Sequence, residues 1–173
     1  MANDMQEVVM PTSVVLNELD EFSKQWEALR QKEVGWKCRR AKTRRQFRTA
    51  CEIWFFENGG KTVRRMPART RNLSERGIGL MTKSVILQGA PIEIRIQPPE
   101  RPPLHLGGVV IFCHYTRRSF HEVGVALKTC QAEPIFSDDP IKAIKSVPWL
   151  QRALRDLLLS PTLAKAQTAA NRG

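Results

Sequence analysis

Between residues 50 and 130 the chain is a succession of short β signals with no helical period among them, and this limits the folds open to it more than any other feature. "ACEIWFF" runs into "ENGGK", where Asn58-Gly59 supplies the positive φ values of a tight hairpin turn, and a return strand follows through "VRRMPARTR". "GIGLMT" and "PIEIRIQ" read as further strands, the second with Ile92, Ile94 and Ile96 on one face. The prolines at 98, 99, 102 and 103 lack the amide hydrogens a ladder needs and force an extended loop. Beyond it, "GVVIFCHY" and "HEVGVALKTC" form a hairpin around "TRRS", with Val123, Val125 and Leu127 alternating inward. Six short strands in series with no helix between them predict a mainly β fold, a small antiparallel barrel or sandwich.

Helical patterns flank this unit. Over residues 14–30, Leu16, Leu19, Phe22, Trp26 and Leu29 recur close to a helical period; Ser13 can cap the start, Pro11 lies outside it and Gly35 can end it. The stripe reads as a packing face for the rest of the protein or for a second copy, which leaves a homodimer through this helix open, rather than as a membrane anchor. In "SVPWLQRALRDLLLSP", Ser146 is a cap, Pro148 suits the first turn, Leu150, Leu154, Leu157 and Leu158 share a face, and Pro161 stops the helix. At 173 residues the chain suits one cored domain with additions. The expected organisation is an N-terminal helical extension over residues 1–36, a barrel with an Arg-rich leader over 37–136, a C-terminal helix over 137–161 and a disordered tail over 162–173.

Hydrophobic residues make up 42% of the chain, enough to build a core, yet no apolar run approaches the roughly 20 residues of a membrane span. The first ten residues carry acids and lack the basic flank and apolar stretch of a secretory signal, so a cytoplasmic protein is expected. Cys38, Cys51, Cys113 and Cys130 are scattered without a CxxC pair; they read as reduced, buried thiols rather than a zinc or redox site.

A net charge of +11 points to an acidic partner. Much of it sits in residues 37–48, "KCRRAKTRRQFR", a run that repels itself, suits a packed element poorly and is expected to stay mobile until it meets an anion. Arg64, Arg65, Arg69 and Arg71 read as a solvated face that adds to the field, and the acids as gathered in the terminal helices rather than among the strands.

Catalytic signals are weak. His105, His114 and His121 do not have metal-ligand spacing on one helix, and although His114 and His121 could meet across a hairpin, they read as polar strand residues. Gly60-Lys61-Thr62 matches the end of a phosphate-binding loop, but the pattern needs a glycine where Phe55 stands. No Ser/His/Asp order is interpretable. The expectation is a binding module, not an enzyme, with no metal and no cofactor.

Two short motifs sharpen that reading. "RRQFR" gives RxxxR from Arg44 to Arg48 directly before the first strand, and "NLSERG" gives NxSxxG from Asn72 to Gly77 one hairpin later. RxxxR spacing alone has little meaning in so basic a chain, since Arg40 to Arg44 and Arg65 to Arg69 match it too. The conjunction, followed by "GIGL", "GVVIFCHY" and "VGVALK", resembles the PilZ domain over roughly residues 37–130. The resemblance implies a six-stranded antiparallel β-barrel followed by a helix, and a receptor site for the bacterial second messenger cyclic di-GMP. Carried over residue by residue, that site comprises Arg44, Arg45 and Arg48 from the leader and Asn72, Ser74 and Gly77 from the barrel, with Arg40 and Gly79 as auxiliary contacts.

The residue chemistry suits such a ligand. Arginine's planar fork pairs with the O6 and N7 acceptors of guanine, stacks on the base and remains charged. Asn72 and Ser74 offer acceptors to the base's N–H groups, and a glycine permits close backbone approach or a positive φ. Asn72 stands where the family often has Asp, which removes one negative charge from the site. The implied protein is a bacterial, cytoplasmic, non-enzymatic receptor whose leader closes on the ligand and signals to a downstream protein partner. Two alternatives stay open: a nucleic-acid-binding barrel, suggested by the same charge, and a PilZ-like scaffold that binds only protein.

Overall fold

The computed structural model describes residues 12–32, 44–57, 62–136 and 148–158. Helix α1 (Thr12–Lys32) precedes seven strands, β1 (Arg45–Gln46), β2 (Ala50–Glu57), β3 (Thr62–Ser74), β4 (Gly77–Thr82), β5 (Pro91–Ile96), β6 (Leu104–Tyr115) and β7 (His121–Gln131), and helix α2 (Pro148–Leu158) follows. The sheet runs β1-β3-β2-β5-β6-β7-β4, and β4 pairs back onto β3. The six long strands therefore close into an antiparallel barrel, with β1 added beside β3. Closure removes the free edges that an open sheet of this size would expose.

Alternation along each strand decides what fills the interior. Ile53 and Phe55 of β2, Ile78 and Leu80 of β4, Ile92, Ile94 and Ile96 of β5, and Val123 and Val125 of β7 form one buried cluster. The β2–β3 hairpin pairs Glu57 with Thr62, although the Asn58-Gly59 turn itself lies outside the described residues. Ile96 pairs with Leu104, so the proline-rich segment between them is a loop.

The outer faces of the barrel are covered in two places. Trp54 and Phe56, pointing away from the interior, pack with Ile135, Phe136 and Leu150 under α2. On another side, Leu19 and Phe22 of α1 pack with Met81 and Phe120, and the rings of Phe22 and Phe120 stack with centroids 4.4 Å apart. Burying each of those two α1 side chains contributes about 1.5–3 kcal/mol. Leu16, Leu19 and Phe22 of the α1 stripe thus pack on the barrel of their own chain, while the side chains of Trp26 and Leu29 lie outside the described residues. Helix α2 begins at Pro148, which loses nothing there by lacking an amide hydrogen; Ser146, Gly35, residues 1–11 and the tail from 159 lie outside the described residues. Among the described residues no helix is long and apolar enough to cross a membrane.

The cysteines are not uniformly buried. Cys51 lies in the interior, Cys113 is half-buried and Cys130 is exposed; Cys130 falls at the end of β7, where the strand runs past the core. Burial pushes the Cys51 thiol up to about 12, against the opposing pull of Arg69 and of the Thr70 backbone. At pH 8 its thiolate fraction is then on the order of one in ten thousand, and the thiolate is the species that alkylates. Iodoacetamide at that pH is expected to modify Cys130 and spare Cys51 until denaturant unfolds the chain, as read by peptide mass mapping. Modification of Cys51 at a comparable rate in the native protein would contradict its placement in the interior.

Candidate functional site

The barrel brings the two motifs together. β1 pairs antiparallel with the end of β3, setting Arg45 opposite Leu73 and Gln46 opposite Asn72. Directly opposed residues share a face of the ribbon, so Arg44, one alternation before Gln46, falls on the side of Asn72 and Ser74, while Arg45 falls on the other. Arg44 Nη1 donates to Asn72 Oδ1 at 3.4 Å, toward the weak end of hydrogen bonding. Arg48 is exposed and lies between two anchored residues, Phe47 and Thr49. Arg40 lies outside the described residues.

Those anchors correct the picture of a loose leader for residues 44–49; residues 37–43 lie outside the described residues. Phe47 packs against the core cluster, and its amide donates to the Arg71 carbonyl at 3.2 Å. Thr70 completes the staple: its hydroxyl accepts from the Thr49 amide at 2.8 Å and donates to the Phe47 carbonyl at 2.7 Å. A β-bulge between Thr70 and Asn72 makes this geometry available by placing Arg71 outside the regular register with β4. Charge alone suggested repulsion; one aromatic side chain and a well-placed threonine outweigh it.

NxSxxG forms the β3–β4 hairpin itself. Ser74 pairs with Gly77 across a loop of Glu75 and Arg76, and the Ser74 hydroxyl donates to the Gly77 carbonyl at 3.2 Å. Gly77 is needed for close approach, not for a positive φ: a Cβ there would lie 3.0 Å from the Val125 carbonyl oxygen of β7. At Gly79 a Cβ would come within 2.8 Å of Asn72 Oδ1, so the absent side chain is what leaves room for Asn72 in its present position.

A family model described as "PilZ domain" matches residues 42–134. The chain belongs to the PilZ domain family. No curated protein matched it. The PilZ match spans both motifs and the whole barrel, and it ends just before the segment that leads toward α2.

Around the PilZ motifs, several residues read as a solvated face prove otherwise. Arg71 is buried and pairs with Glu122 of β7, which is buried too. Arg69 lies beside Asp20 of α1 at 3.6 Å. Arg64 and Arg65 do remain exposed, the first bonded to Glu57 at 3.0 Å and the second over the Trp54 ring. Acids are therefore not confined to the terminal helices. Glu122, and the fully buried Glu93 of β5 with Arg95 and His105 around it, sit in the strands.

His114 and His121 do not converge: the register sets His114 opposite Glu122 and Tyr115 opposite His121. Among the described residues, no three His, Cys, Asp or Glu side chains gather as a metal ion would require. Two openings have none of the motif residues in their lining. One of about 590 Å³, lined by Glu52, Arg95 and His105, opens where β2 and β5 part. The other, of about 650 Å³, lies between α2 and the barrel, lined by Trp149, Arg152 and Lys128. A ligand gripped by projecting arginines needs neither.

Proposed function

We propose that this PilZ domain is a receptor for cyclic di-GMP, held by Arg44 and Arg48 of the leader against Asn72, Ser74 and Gly77 of the β3–β4 hairpin, with Arg45, Arg40 and Gly79 contributing from the periphery. The observation that carries the reading is the pairing of β1 with β3, which brings the Arg44 guanidinium to the Asn72 side chain in a chain of this family. The 3.4 Å bond between them is weak enough to give way to a guanine edge, which offers O6 and N7 to the arginine and N–H groups to Asn72. Each charge-assisted hydrogen bond so formed is worth roughly 1.5–3 kcal/mol.

Because backbone bonds already hold residues 44–49, binding is spared the cost of ordering them, about 1–2 kcal/mol for each residue. Closure on the ligand then consists of arginine side chains gathering round it while the β1–β3 pairing persists. The protein acts without catalysis, in the bacterial cytoplasm, and passes occupancy to a downstream protein partner through the surface the gathered arginines and ligand create.

Calorimetric titration of the full chain tests this. Micromolar or tighter binding of cyclic di-GMP, with at least tenfold weaker binding of cyclic di-AMP, is expected, since adenine puts a donor where guanine has O6. Equal affinity for both, or preference for long DNA with a steep salt dependence, would transfer the function to a phosphate-driven nucleic-acid surface.

A further inference from the structure

Helix α1 lies beside the proposed ligand site and is tied to the barrel by opposite charge as well as by apolar packing. Glu18 pairs with Lys83, just beyond β4. Asp20 Oδ1 stands 3.6 Å from Arg69 Nε, close enough for an ion pair but too far for a hydrogen bond. That Nε is buried and has no hydrogen-bond partner among the described residues. Arg69 faces Ala50 across the β2–β3 pair, so its position on the barrel lies two residues from Arg48. The hydrogen bond from Lys24 holds the Asp20 carboxyl below the usual range; partial burial works against it, and Arg69 and then Arg48 add to the lowering. A carboxylate of α1 therefore sits in the field of a site arginine.

Its neighbour on the helix does not. Among the described residues Glu21 pairs with Lys24 alone, at 3.3 Å, and its side chain is 68% exposed. Asp20, with a side chain 28% exposed, is turned toward the barrel. Two acids one residue apart thus carry the same charge and meet different surroundings.

We propose that Asp20 is the resident counter-ion of the ligand site: it occupies the guanidinium field of Arg69 and Arg48 until a ligand phosphate replaces it, so that binding loosens the hold of α1 on β3. The proposal rests on the cyclic di-GMP reading and adds the element that responds. A guanidinium neutralised by a phosphate attracts the carboxylate less, and linkage requires the converse: removing the carboxylate must tighten the ligand.

The test is calorimetry with cyclic di-GMP on the full-length wild type, Asp20→Asn and Glu21→Gln, with hydrogen exchange over residues 12–32 before and after saturation. Asp20→Asn is expected to bind roughly three- to tenfold tighter, in line with a partly exposed ion pair, and Glu21→Gln within about twofold of wild type. Amides of α1 should exchange faster on saturation of the wild type and already be faster in unliganded Asp20→Asn. Equal gains in the two variants would reduce the effect to net charge and overturn the proposal, as would unchanged affinity in Asp20→Asn. Failure of the wild type to bind would remove the receptor reading and this proposal together.

Discussion

Arg48→Ala is expected to weaken cyclic di-GMP binding by about ten- to a hundredfold while leaving the melting temperature nearly unchanged. The first half follows from the value of charge-assisted hydrogen bonds, roughly 1.5–3 kcal/mol, at 1.4 kcal/mol for each tenfold. The second follows from its position: the side chain is exposed, and bonds made by Phe47, Thr49 and Thr70 hold this stretch whatever side chain stands at 48. Exposed substitutions of this kind usually stay within 0.5 kcal/mol or so of wild-type stability. Arg48→Lys should recover only a small part of the loss, because an ammonium keeps the charge but not the planar fork. Arg44→Ala should behave like Arg48→Ala, whereas Arg45→Ala should cost less, the register having put Arg45 on the face opposite Asn72. If alanine at 44 and at 48 both left affinity within twofold of wild type, the leader would not be part of the site.

The barrel was legible in the sequence because the inward faces of β2, β5 and β7 alternate regularly. Ile92, Ile94 and Ile96 announce one wall of the core, and the four prolines after Gln97 announce where the strand must stop. NxSxxG was legible for a different reason, since Ser and Gly three positions apart across a hairpin loop have few structural substitutes. What escaped was decided by tertiary cover. Glu93, Glu122 and Arg71 occupy strand positions that face outward from the barrel or leave its register, and outward polar residues ordinarily meet water. Here α1 and the segment around Phe136 cover those faces, so the same pattern yields buried ion pairs. Thr70 gave no signal, because one threonine in a strand looks like any other until a bulge lets it serve the chain beside it. Residues 44–48 of the leader misled for the same reason: charge is a property of the segment, whereas the order of these residues comes from Phe47 and from β3.

Glu93→Ala is expected to have the largest effect on stability, although Glu93 plays no part in the proposed ligand site. Its carboxylate is completely buried. Oε1 accepts from Arg95 Nε at 2.9 Å and lies 2.7 Å from His105 Nδ1, while Oε2 accepts from the Phe136 amide at 2.6 Å and from Arg95 Nη2 at 3.2 Å. Arg95 also donates to the Phe136 carbonyl at 2.6 Å, and its guanidinium lies 3.7 Å from the centre of the Trp54 ring. One carboxylate thus fastens the segment after β7 to the outer face of β5 and neutralises an arginine beneath it. Alanine would leave the Phe136 amide without its acceptor and the Arg95 guanidinium without its counter-charge, and removing one partner of a buried ion pair costs about 3–5 kcal/mol. For a chain of this size, at about 2–4 °C for each kcal/mol, the expected fall in melting temperature is roughly 6–20 °C. Glu93→Gln should fall in between, because its amide oxygen can still accept from Phe136 while its NH₂ faces a cation. Calorimetric melting of the three proteins checks the order, and an alanine variant melting within 2 °C or so of wild type would mean that the cluster is not the tie its geometry describes. Because β2 separates β5 from β3 in the sheet, whatever Glu93→Ala folds at low temperature should bind cyclic di-GMP with wild-type affinity, which separates the part of this barrel that holds it together from the part that recognises a ligand.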